Sequence, residues 1–229
     1  MELTPFFFQP SERRLVGTMI TAKPVNDGRF AAFATLIFMI VTAQLFWKNP
    51  GGIADLLPAI HSAIFQDGEV WRLFTAQVIH SDVEHLLSNM LMLTVFSYLV
   101  FGYFGFGVYP LLSYFLGSLV NLISIYTYPT DVRLLGASGL VYLLGGFWLT
   151  MYFLIQRQYL WTHRFLRVLG IAMLLFFPTT FQPTTSYRTH AIGMAVGALM
   201  AAAYFIKNKK YIRSFETFKD EYVEEPLFH

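Results

Sequence analysis

Six apolar runs, each near the length of a bilayer-crossing helix, leave this chain few architectures. A helix needs about 20 predominantly apolar residues to cross the hydrocarbon core. Runs of that order are expected at roughly 30–47, 84–104, 107–126, 138–155, 165–180 and 189–206 of the 229 residues. In lipid every backbone polar group must be paired within the protein, and helices do this within one segment. Only 13% of the residues are charged, about half the share of an ordinary soluble domain. The reading is an all-α membrane protein. One six-transmembrane-helix bundle covers 30–206, with tails at 1–29 and 207–229.

The connections refine this. The second and third runs are separated only by Gly102-Tyr-Phe-Gly-Phe-Gly107, which predicts a tight hairpin. The stretch from Lys48 to Val83 is too long for a simple turn, so a structured first loop is expected. Its LLPAI and SAIF pieces suggest short interfacial helices. No secretory signal peptide is expected, because the apolar stretch after Arg13 and Arg14 is short and is broken by Lys23-Pro24.

Basic residues set the orientation. With six spans, 12 of the 16 Lys and Arg fall on one side, in the two tails and in the loop holding Arg157, Arg164 and Arg167. Both termini are therefore expected in the cytoplasm and the long first loop outside. A bacterial inner membrane is the expected location. The chain has no cysteine, which excludes disulfides and thiol catalysis, and its net charge of +2 gives no reason to expect a nucleic-acid partner.

Polar side chains at membrane depth are costly and mark functional positions. Ser138 opens the fourth run and His190 the sixth, 19 residues before Arg157 and 17 before Lys207 respectively. At 1.5 Å per residue both lie about 26–29 Å from the cytoplasmic charges, so they share a layer. His85 and Asn89, in the first turns of the second run, reach it too. Acyl transfer by serine needs a base and donors for the oxyanion. Ser138 is the candidate nucleophile and His190 the base. The Ser138 N–H stands at a helix N-terminus, where free donors and the helix dipole favour negative charge. His85 and Asn89 are further donors. Gly136 and Gly139 remove bulk around the serine, and Tyr142, one turn on, is positioned to stack on the His190 ring. Gly193 and Gly197 form a small-residue face that brings the sixth run against the fourth. No buried carboxylate is evident, so a dyad is expected. Asp131 is a minor alternative orienter.

These motifs together resemble the rhomboid intramembrane serine proteases. Trp71-Arg72 is similar to the family's WR signature, and His80, His85 and Asn89 keep its H-x4-H-x3-N spacing. Gly136-x-Ser138-Gly139 resembles its G-x-S-G, and His190-x-x-Gly193-x-x-x-Gly197 its H-x-x-G-x-x-x-G. The resemblance covers roughly 68–200. It implies Ser138 and His190 as the dyad, with His85, Asn89, Gly136 and the Ser138 N–H around the oxyanion. His80 would organise the first loop. The substrates implied are single-pass transmembrane proteins, cleaved near the outer face without metal or organic cofactor. The fifth span would be the gate. Two features depart from the family: Thr189 stands where Ala is frequent, and the turn at Phe101–Gly107 lacks the usual Glu. The alternative reading is a non-cleaving relative that binds transmembrane helices. A small transporter would require carboxylates within the spans, and none is seen.

Overall fold

The computed structural model describes residues 12–176 and 185–221. It is mostly helical. Among the described residues five helices are long and apolar enough to cross a membrane: α1 (Gly28–Lys48), α4 (Val83–Phe104), the broken helix Gly107–Thr127, α6 (Ser138–Ile155) and α8 (Tyr187–Arg213). The chain is therefore an integral membrane protein. The expected fifth span appears as α7 (Trp161–Phe176), of 16 residues. Positions 177–180 of that expected span lie outside the described residues.

Local sequence explains the ends. Asp27 caps α1 by accepting from Arg29 N–H, and Asp82 caps α4 by accepting from His85 N–H. Such caps satisfy donors that a helix leaves open. The tight turn after α4 depends on Gly105, whose φ of 77° suits glycine. The turn has no Glu, and Asn26 anchors it instead. Asn26 N–H donates to Gly102 O (3.0 Å), and its side-chain amide to Phe101 O (3.2 Å). The chain then runs through an irregular segment, Gly107–Leu112, into α5 (Ser113–Thr127).

The apolar pieces of the first loop divide. A short 3-10 helix covers Pro50–Leu56, and α2 covers His61–Phe65. The expected helix over LLPAI does not form. Ala59–Ile60 is β2, paired antiparallel with β3 (Arg133–Leu134), which leads into Ser138. Pro58 lacks the N–H a helix would use. After α3 (Arg72–Thr75) the loop runs on to α4.

The helix α6 is the centre of the bundle. Leu143, Leu144, Phe147 and Met151 are fully buried. By contrast α1 exposes Phe30, Phe33, Ile37 and Val41, which suits contact with lipid chains. At the far end of α6 the tails meet. β1 (Glu12–Gly17) pairs antiparallel with β4 (Thr217–Glu221), and Arg157 holds Glu216 through both carboxylate oxygens. The helix α8 runs on to Arg213, and Met19 and Ile212 are buried in the main core.

Candidate active site

The helices α6 and α8 make the most extensive contact in the bundle. Glycine makes it possible. A Cβ on Gly193 would lie 2.5 Å from Gly139 O, and one on Gly197 would fall on Leu143 O. Across the contact, Gly146 faces the Met194 carbonyl just as closely. Gly193 therefore meets the turn 139–143 and Gly197 the turn 143–147, so the helices run parallel. Three residues back from Gly193, His190 stands level with Ser138.

Tyr142 completes the alignment. Its ring stacks on His190 with centroids 4.0 Å apart and planes at 11°. Its hydroxyl donates to Phe176 O (3.0 Å). Tyr187 meets His190 edge-on at 6.1 Å. Ser138 and His190 are both half-buried. No hydrogen bond joins them among the described residues, and His190 Nδ1 is buried without a partner. Catalytic hydrogen bonds are often long before substrate binds. Asp131 is exposed and does not bond His190.

The tetrapeptide around Ser138 is held from both sides. Gly136 adopts φ 112°, and its missing Cβ leaves room for the His85 ring, whose atoms would come within 2.6 Å of it. Its N–H donates to Ala76 O (2.8 Å), so it is not free to hold an oxyanion. Ala137 N–H donates to His80 Nε2 (3.3 Å). Gly139 clears space for Thr189 and Val120 on neighbouring helices rather than for substrate. Ser138 thus lies between the His85 ring and the start of α8. As the first residue of α6 it has no acceptor for its N–H among the described residues.

His80 is fully buried, with its ring 5.1 Å from His85 and its carbonyl accepting from Trp47 Nε1 (2.7 Å). Burial, with the nearby His85 second, pushes its pKa down to about 4. It is therefore neutral at pH 7. Asn89 is buried and its amide donates to His85 O (3.0 Å). Arg72 is buried and ties the first loop together, donating to Glu69, to Asp55 O (2.8 Å) and to Pro58 O (3.2 Å). Trp71 is exposed, and its indole N–H donates to Leu56 O (3.3 Å).

One element escaped the sequence reading. Ser81 Oγ donates to Asp82 Oδ2 (2.6 Å) and lies 3.2 Å from His85 Nδ1. With its proton given to Asp82, the hydroxyl accepts from His85 Nδ1–H. The neutral ring then presents a bare Nε2 toward Gly136. An Asp just before an apolar run signals a helix cap, but that signal says nothing of Ser81.

A family model described as Rhomboid domain matches residues 67–207. No curated protein matches the chain.

Proposed function

Because the chain belongs to the rhomboid family, whose domain occupies more than half its length, we propose that it is an intramembrane serine endopeptidase acting through a Ser138–His190 dyad. The observation that carries this reading is the register of α6 and α8, which sets His190 level with Ser138 while Tyr142 stacks on its ring. In the proposed reaction Ser138 Oγ attacks the scissile carbonyl and gives its proton to His190. The Ser138 N–H and the Asn89 amide receive the oxyanion. His190 then protonates the leaving amine, and water releases the acyl group. His85 joins as a donor only when its ring is protonated or carries its proton on Nε2, since its Nδ1–H faces Ser81.

The substrates proposed are single-pass transmembrane segments, cut near the membrane face at which α4, α6 and α8 begin. We place that face outside, with six spans and both tails in the cytoplasm of a bacterial cell. The test is cleavage of a reporter transmembrane substrate by the reconstituted protein. Ser138→Ala is expected to abolish cleavage, and His190→Ala to abolish labelling by a fluorophosphonate. Cleavage that survives Ser138→Ala refutes the dyad. A wild-type protein that neither cleaves nor labels is instead a helix-binding relative.

A further inference from the structure

We propose that a groove between α5 and α8 holds an anionic phospholipid, its phosphate at Lys207 and one acyl chain among the side chains beyond. The groove encloses about 480 Å3. Lys207 and Asn208 stand at one end, and Leu112, Leu116, Met200 and Tyr204 line the rest. Met200 precedes Lys207 by seven residues, which sets it about 10 Å further along the helix axis. The groove therefore runs from the polar end of a membrane-crossing helix into its apolar part.

The charge at the mouth has no answer among the described residues. Lys207 is exposed and has no ion pair or hydrogen bond among the described residues. The packed elements offer no carboxylate: neither the turn Phe101–Gly107, the segment to Leu112, nor α5 contains an acidic residue. Asn208 gives one amide hydrogen to Tyr204 O (2.9 Å) and keeps the other. Lys209 and Lys210 share the helix but do not line the groove. A free anion would meet a single lysine and one amide N–H, not a donor cradle. An apolar helix would leave that cation unanswered. An anionic phospholipid satisfies both ends: a phosphate at the boundary and an alkyl chain where the walls are apolar. A lysine near an anionic leaflet attracts it. Inside the bilayer the chain gains from packing against a fixed groove rather than from leaving water.

The test uses the delipidated full chain in neutral detergent, titrated with phosphatidylglycerol or phosphatidylcholine and read by native mass spectrometry. Lys207→Gln is expected to weaken phosphatidylglycerol binding about fivefold and to leave phosphatidylcholine unchanged. Lys210→Gln, equally cationic but outside the groove, is expected to change binding less than twofold. A phosphatidylglycerol with a photoreactive acyl chain should label peptides containing 108–116 and 200–204. Equal effects of the two lysine substitutions would reduce the site to diffuse surface attraction and overturn the proposal. So would unchanged binding in Lys207→Gln, or labelling confined to other peptides. The proposal stands apart from proteolysis, so loss of one leaves the other in place.

Discussion

Adding one methyl group at Gly193 should separate the two helices that carry Ser138 and His190. The new Cβ would lie 2.5 Å from Gly139 O and 3.3 Å from both Leu143 N and Tyr142 Cβ. Carbon–oxygen contacts settle at about 3.3–3.6 Å, so the backbones must part by roughly 1 Å. None of these neighbours is a side-chain end that can swing away. His190 is one turn from Gly193 on the same helix and moves with it. A misplacement of about 1 Å can cost about 100-fold in rate, or about 2.7 kcal/mol of barrier. Overpacking costs about 1–3 kcal/mol in stability. Gly193→Ala is therefore expected to lower kcat/KM on a reporter transmembrane substrate about 100-fold, and fluorophosphonate labelling in parallel. Denaturant unfolding should show the smaller stability loss. Gly170→Ala serves as comparator, since a Cβ there meets nothing within 4 Å, and it should cleave within about twofold of wild type. A Gly193→Ala protein that cleaves at the wild-type rate would refute the idea that the α6–α8 contact sets the base.

Asn89→Ala is expected to raise the barrier by about 1–4 kcal/mol, as for one oxyanion donor, with KM unchanged; an unaltered kcat in the cleavage assay would remove Asn89 from the site. His80 is held near 4 by burial, below its ordinary 6.5, so the unfolded chain binds this proton more readily than the folded one. The stability this provides is complete above pH 6.5 and lost as pH falls toward 4, about 3 kcal/mol in all; unfolding at pH 7 and pH 4 should show that loss, and His80→Gln should remove it from the slope. Arg72→Lys is expected to cost about 1–3 kcal/mol in denaturant unfolding, because an ammonium cannot hold Glu69, Asp55 O and Pro58 O together as a guanidinium fork does.

Five of the spans and the close contact of α6 with α8 were legible because each depends on a long or repeated signal. Twenty apolar residues have one meaning in lipid, and Gly193 with Gly197 implied a close helix contact whose partner the Ser138 motif supplied. The stacking of Tyr142 on His190 followed from helical spacing alone. The roles of Gly136 and Gly139 were not legible. Both were expected to remove bulk around the serine, and the groups that fill that space were not foreseen: His85 at Gly136 and Thr189 at Gly139. A glycine records that something approaches closely, not what approaches. The strand at Ala59–Ile60 was hidden for a similar reason: its partner, Arg133–Leu134, lies more than 70 residues away, and two-residue pairing leaves no periodic trace. Ser81 was overlooked because its hydrogen bonds run to immediate neighbours in a loop, where serine is common.

The long first loop and the Ser138 motif are one device. Residues 135–137 are not helical, and unpaired backbone at membrane depth is tolerated only when protein satisfies it. The first loop does so step by step. Leu134 pairs with Ala59, Gly136 N–H reaches Ala76 O, and Ala137 N–H reaches His80 Nε2. Arg72 in turn fixes the loop to itself, and Trp47 fixes His80 to α1. The pairing stops at Ser138. From there the open donors are those of the first turn of α6, because Val141 N–H already accepts its place in the helix by donating to Ala137 O. A loop built only to cross the surface would have no reason to satisfy the N–H groups of Gly136 and Ala137 and stop at the serine. The same contacts that make an irregular backbone tolerable in lipid leave the Ser138 N–H as the first donor without an acceptor among the described residues, which is what its proposed oxyanion role requires.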